Sequence, residues 1–221
     1  MTTGALMSRN ATTTDAPPAL SIRRLTVELQ GRVLIHDASV DFAAGTSHAV
    51  IGRSGAGKSV LLKAAVGLLP RRTGSVLLHR RPLVFVHQDP ALLDDLDVEE
   101  NVAFPLLRKN RSSRPDVRRR VRGLLEELSL AHLQRERPAD LTPSEARRVA
   151  LARALALQPA VLIVDEPTTG LDPIAADDVE TALLRSDPDR TLILITHHPR
   201  TWQRLATSTV LVEQGRVRRI S

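Results

Sequence analysis

Eight consecutive residues, Gly52-Arg53-Ser54-Gly55-Ala56-Gly57-Lys58-Ser59, constrain this chain more than any other feature. They satisfy G-x-x-x-x-G-K-[ST] at every fixed position. Glycine lets the backbone wrap closely around phosphate oxygens, with its N–H groups pointing inward. Such a loop joins an apolar strand to a helix. Ser47–Ile51 reads as the strand and Ser59–Leu69 as the helix, with Pro70 as its stop. The helix start adds its positive end to the anion site. Lys58 supplies a point charge for the β- and γ-phosphates, and the Ser59 hydroxyl is a hard oxygen ligand for Mg²⁺. The candidate nucleotide-binding residues are therefore Gly52, Arg53, Ser54, Gly55, Ala56, Gly57, Lys58 and Ser59, with Val60 directly behind them.

The rest of the chain frames this loop as an α/β domain interrupted by a helical insert. Residues 1–18 are small and polar, end in Pro17-Pro18, and read as a disordered leader before a domain spanning 19–221. Ser21–Leu29 and Arg32–Phe42 alternate as two strands around a turn at Gln30-Gly31, and Pro82–Val86 is a further short strand. From Asp89 to Leu157 the pattern is helical. Asp116–Leu130 carries Val117, Val121, Leu124, Leu125 and Leu128 at helical spacing, with Arg118, Arg119, Arg120 and Arg122 on a solvated face. Strand–helix alternation then resumes: Val161–Val164, Ile174–Arg185, Thr191–Ile195, Thr201–Ala206 and a final strand Thr209–Glu213.

Composition excludes several classes. There is no run of about 18 apolar residues, so no membrane-spanning helix is expected. Cysteine is absent, which removes disulfides, thiolate nucleophiles and zinc–cysteine sites. The formal net charge of +6 comes almost wholly from arginine, since Lys58, Lys63 and Lys109 are the only lysines. The aromatics are Phe42, Phe85, Phe104 and Trp202, too few for a single-strand stacking platform; the basic charge permits action on nucleic acid or the ribosome as an alternative, but no nucleic-acid partner is expected.

A second acidic feature follows. Val161-Leu162-Ile163-Val164-Asp165-Glu166 is an apolar strand ending in two carboxylates. In a protein with this loop such a strand lies beside it. Asp165 can then bind Mg²⁺, directly or through water, and Glu166 can polarise the water that attacks the γ-phosphate. Thr191–Ile195 leads into Thr196-His197, which puts a histidine at the ligand-binding edge of a parallel sheet.

Together these features resemble the ATP-binding subunit of an ABC transporter, from about Leu20 to Val217. The resemblance implies a P-loop NTPase fold of the ABC ATPase type, with an antiparallel β subdomain and a helical subdomain at about 89–157. It implies ATP and Mg²⁺ as cofactors. In Phe85-Val86-His87-Gln88-Asp89-Pro90, Gln88 stands where the family has a glutamine that touches Mg²⁺ and couples the site to the membrane partner. Leu141-Thr142-Pro143-Ser144-Glu145 aligns with the LSGGQ signature, whose helix N-terminus meets the γ-phosphate held by the other subunit. By that alignment Thr142 and Ser144 contact nucleotide across a dimer. Asp165-Glu166-Pro167-Thr168 is similar to the Walker B end, Thr169-Gly170-Leu171-Asp172 to the D-loop, and His197 to the switch histidine. Glu166, His197 and Lys58 are the catalytic residues so implied; Ser59, Gln88 and Asp165 are the metal ligands. Partners follow too: a separate integral membrane permease and a second ATPase subunit, most simply an identical copy, on the cytoplasmic face of the inner membrane.

A narrower resemblance, to the ATPases of Mla/Mce-type lipid transporters, lies in Gly57-Lys58-Ser59-Val60-Leu61-Leu62-Lys63 with Gly67-Leu68-Leu69, in Glu100-Asn101-Val102-Ala103-Phe104-Pro105-Leu106 and in Glu166-Pro167-Thr168-Thr169-Gly170-Leu171-Asp172-Pro173-Ile174. It implies a lipid cargo and an Mce-type lipid-binding partner. Departures matter as well. Pro143 and Ser144 replace the two glycines of the signature, which removes one N–H donor and adds a side chain where backbone should approach phosphate. Thr142, Pro143 and Glu145 nevertheless form a good helix start, with a capping box and proline at the first helical position. The expectation is a well-formed helix with a weak phosphate contact, weak ATP-driven dimerisation and slow turnover, or at the limit an ATP-binding regulator. Leu29 falls about where the family stacks an aromatic ring on adenine, and His198 replaces the aspartate that commonly follows the switch histidine.

Overall fold

Alternating burial along Leu20–Leu29 (β1) and Arg32–Phe42 (β2) builds an antiparallel pair in register Leu20 to Phe42, with one face packed inward. The computed structural model describes residues 17–108, 113–185, 187 and 189–220. A third strand, Thr73–Leu78 (β4), pairs with β1 antiparallel, so this small sheet runs β2-β1-β4. The expected leader falls outside the described residues up to position 16.

The larger sheet has six strands. Ser47–Ile51 (β3) is central and the order is β5-β6-β7-β3-β8-β9, where β5 is Leu83–Val86, β6 Val161–Asp165, β7 Thr191–Ile195, β8 Ser208–Glu213 and β9 Arg216–Arg219. All pair in parallel except β9, which returns antiparallel along β8. The helices are Lys58–Ala65 (α1), Val98–Arg108 (α2), Arg114–Glu127 (α3), Pro143–Ala156 (α4), Pro173–Arg185 (α5) and Pro199–Leu205 (α6). Between Asp89 and Leu157 the described residues hold α2, α3, α4 and two single 3₁₀ turns, and no strand.

The central strands are buried on both faces, as parallel strands covered on two sides must be. Their side chains alternate between two cores. Val161, Ile163, Ile193 and Ile195 pack with β1, β2 and α1, whereas Leu162, Val164, Leu192 and Leu194 pack with the helices on the other side. On α3, Val117, Val121, Leu124 and Leu125 are buried while Arg118, Arg119, Arg120 and Arg122 are exposed; Arg120 also donates to the Leu155 carbonyl at 2.9 Å.

The sequence reading needs correction in three places. The helix expected over Ser59–Leu69 ends at Ala65, because Gly67 takes φ +82° and closes a Schellman turn. Leu68 N–H donates to the Lys63 carbonyl at 2.8 Å and Gly67 N–H to that of Ala64 at 3.2 Å. Strand β4 was not expected, and Thr209–Glu213 is not the final strand, since β9 follows it.

Candidate nucleotide site

The loop between β3 and α1 is fixed by close packing. A Cβ on Gly52 would lie 2.2 Å from the Val212 carbonyl oxygen of β8, and Gly57, at φ +103°, would place one 2.8 Å from Ile35. Only glycine fits either position. Ala56 accepts from Gly215 N–H at 3.2 Å, and the Gly215 carbonyl accepts from His36 N–H at 2.9 Å, so the β8–β9 turn and β2 brace the loop from outside. Lys58 is buried, and its ammonium donates back to the Gly52 and Arg53 carbonyls at 2.9 and 3.1 Å. Val60 lies half-buried on α1 against the core shared with β1 and β2. Arg53, Ser54 and Gly55 are exposed at the rim of an open cavity of about 770 Å³. His197, Trp202 and the end of β8 complete its lining.

Strand β6 is not the direct neighbour of β3, because β7 lies between them. The carboxylate still reaches the loop: Ser59 Oγ donates to Asp165 Oδ1 at 3.1 Å. Octahedral Mg²⁺ with ligands at about 2.1 Å places neighbouring oxygens about 3 Å apart, so this pair fits one edge of its coordination shell. Burial pushes the Asp165 carboxyl above the usual range, and the Ser59 hydrogen bond opposes that shift.

Glu166 follows at the point where β6 ends. Its φ of +52° turns the chain sharply, and its N–H donates to the Ile195 carbonyl at 2.8 Å. The side chain is thereby aimed between two partners. Oε1 lies 2.8 Å from His197 Nδ1, and Oε2 accepts from Thr169 Oγ1 at 3.0 Å. Gln88 is exposed, and it lines a narrow cleft with Asp165, Glu166 and Arg147.

Thr142 and Ser144 line neither cleft. They stand at the start of α4, where Thr142 caps the helix and the reciprocal capping box is complete. Glu145 Oε2 accepts from Thr142 N–H at 2.8 Å and from Thr142 Oγ1 at 2.7 Å, and these bonds hold its carboxyl below the usual range. Pro143 occupies the first helical position, and Ser144 Oγ is buried with no hydrogen-bond partner. One chain thus assembles the loop, Ser59, Asp165, Glu166, His197 and Gln88 at one sheet edge and leaves Thr142 and Ser144 apart from them.

Three further residues belong to this neighbourhood and were not foreseen. Arg147 of α4 donates to the Thr169 carbonyl, tying α4 to the segment that follows β6. Trp202 and Gln214 line the cavity beside the loop. Trp202 carried the one available signal, as the chain's single tryptophan. Leu29 packs at the end of β1 on the core and is absent from that cavity's lining. Asp172 caps α5, accepting from Ile174 and Ala175 N–H at 2.9 and 3.0 Å; the Ala175 bond leads in holding its carboxyl below the usual range.

Comparison with known proteins bears on the family and the fold. The ABC transporter family profile matches residues 35–169. The chain is 36% identical over 210 residues to the Fe(3+) ions import ATP-binding protein FbpC of Streptomyces avermitilis, covering 90% of this chain and 61% of that protein. It is 34% identical over 217 residues to the sulfate/thiosulfate import ATP-binding protein CysA of Ralstonia nicotianae, covering 91% and 58%. The chain therefore spans about 60% of the length of such relatives. A solved structure of an ATP-binding subunit of an ABC transporter superposes with TM-score 0.83 at 26% identity, covering 92% of this chain and 90% of that one. A dimeric ATP-binding cassette in a post-hydrolysis state, bound to ADP and phosphate, shares the fold with TM-score 0.82 at 24% identity, covering 91% and 98%. These relatives carry no support for the Mla/Mce lipid reading. The chain belongs to the ABC transporter family, whose profile spans its residues 35–169.

Proposed function

We propose that this chain binds ATP with Mg²⁺ and hydrolyses it, as one of two ATPase subunits that drive a separate membrane permease from its cytoplasmic face. The observation that carries this reading is the convergence of Ser59 with Asp165 at 3.1 Å and of Glu166 with His197 at 2.8 Å at one end of the sheet. Loop N–H groups and Lys58 bind the phosphates once the ammonium leaves the Gly52 and Arg53 carbonyls. Ser59, Asp165 and Gln88 are the oxygen donors for the metal, which when bound neutralises charge on the β- and γ-phosphates. Glu166 takes the proton of the attacking water, and His197 holds that carboxylate in line and contacts the γ-phosphate. Among the described residues no helix is long and apolar enough to cross a membrane, in keeping with a separate permease.

On cargo, relatives named for sulfate/thiosulfate and Fe(3+) import favour a small inorganic ion. A lipid cargo with an Mce-type partner retains only the sequence likenesses around Val60, Asn101 and Ile174. A second reading of the chain itself, an ATP-binding subunit with slow hydrolysis paired with a better signature, is favoured by the state of α4, where Glu145 already occupies the helix start.

Hydrolysis by the purified chain and by Glu166→Gln separates these readings. Loss of a general base lowers turnover by about 10²–10⁴-fold, with ATP binding retained. A wild-type rate no higher than that of Glu166→Gln leaves only the second reading. Failure of both proteins to bind ATP removes both.

A further inference from the structure

His198 is the departure from the family pattern that the hydrolytic reading leaves unused. In the structure it caps α6 without a side-chain cap bond, and its N–H donates to Thr196 Oγ1 at 3.1 Å. Its imidazole is partly buried and lies beside the site. The His197 and His198 rings lie with centroids 4.1 Å apart and planes tilted by 36°. Glu166 completes the group: one ligand atom from each of Glu166, His197 and His198 lies within 4.8 Å of the other two.

We infer that Glu166, His197 and His198 form a binding site for a borderline divalent transition ion such as Zn²⁺ or Ni²⁺, distinct from the Mg²⁺ position at Ser59 and Asp165. Two imidazoles and one carboxylate are a donor set such ions favour over Mg²⁺, which prefers oxygen. A tetrahedral ion with ligands at about 2.0–2.1 Å needs them about 3.3 Å apart. Binding requires the Glu166 to His197 distance of 2.8 Å to open slightly and the His198 ring to close in from within 4.8 Å. Three protein ligands leave the fourth position for water. Glu166 is half-buried and pinned by Thr169 Oγ1, and its backbone is held by Ile195, so one ligand is already in place.

The binding stands on this geometry alone, but its consequence rests on the hydrolytic reading. An ion held here takes the lone pairs of Glu166 and His197 and stops turnover. The site would then make the ATPase sensitive to free transition ions while leaving Mg²⁺ binding intact.

The test is Zn²⁺ titration of the metal-stripped full chain by calorimetry without nucleotide, for wild type, His198→Ala and His198→Gln. Even indirect partners of a metal ligand are worth about 10–100-fold in affinity, and a direct ligand at least as much. The expected result is one site per chain, weakened about tenfold or more in both variants. Hydrolysis at buffered free Zn²⁺ should be inhibited in wild type and resist inhibition in the variants, whose basal rates match wild type. Should His198→Ala fail to fold, His198→Gln keeps the side-chain volume and decides the matter. Identical Zn²⁺ affinity in wild type and the folded variants overturns the site, even if the chain hydrolyses ATP. His198-dependent binding by a chain that never hydrolyses ATP upholds the site and removes only the inhibition.

Discussion

At the residue scale, backbone geometry matters as much as side-chain identity. Glu166 sits at φ +52°, a conformation that costs a non-glycine residue about 1–3 kcal/mol and persists only where its surroundings enforce it. The bond from its N–H to Ile195 supplies that enforcement and turns two adjacent acids to different tasks: Asp165 faces Ser59, and Glu166 faces His197. His48 is a structural counterpart. It is buried on β3 between Ser208 Oγ at Nδ1 and Thr46 Oγ1 at Nε2, both at 2.8 Å, and burial pushes its imidazole down to about 4. The unfolded chain protonates this histidine near pH 6.5, so between about pH 6.5 and 4 it binds more protons than the folded chain. Stability must fall as pH drops through that window, by on the order of 3 kcal/mol from this group. Urea midpoints at pH 7, 5.5 and 4.5 should show the decline in wild type and a shallower one in His48→Gln. Equal slopes would assign the decline elsewhere.

At the element scale, α4 trades one use of a helix start for another. A free N-terminus is an anion site. Here the proline lacks an N–H, and Glu145 satisfies Thr142 within the same turn. A carboxylate held below its usual range also faces any incoming phosphate with negative charge. Restoring both glycines in Pro143→Gly/Ser144→Gly should strengthen ATP-dependent dimerisation and turnover by roughly 10–100-fold, the worth of one charge-assisted hydrogen bond. Sedimentation and phosphate release of the double variant read this directly, and rates equal to wild type would refute it. Elements like α4 were legible because capping chemistry is local and leaves its residues adjacent in the sequence. The phosphate loop was legible for the same reason. Strands β4 and β9 were not: Thr73–Leu78 is largely exposed, and Arg216–Arg219 has one apolar residue, so neither carries alternation. The end of α1 was misjudged because Gly67 stops the helix before Pro70 can. Arg147 and Trp202 join the site only through contacts between distant segments, which no local pattern reports.

At the scale of the whole molecule, the six-stranded sheet is a shared wall. Adjacent residues of β6 serve opposite cores, Leu162 the helical side and Ile163 the side of the small sheet. Leu162→Ala and Ile163→Ala should each cost about 2–5 kcal/mol, and both should shift the same single unfolding transition. Two separable transitions in chemical denaturation, each sensitive to one variant, would show instead that the cores unfold independently. The backbone of Gly215 adds a last constraint. It accepts from His36 on the small sheet and donates to Ala56 in the phosphate loop. Mechanically it is a rivet through three plates: the β8–β9 turn, the small sheet and the loop cannot slide past one another without shearing it. A displacement of the loop where phosphate binds therefore pulls on the β8–β9 turn and the small sheet together, through two bonds worth about 0.5–1.5 kcal/mol each.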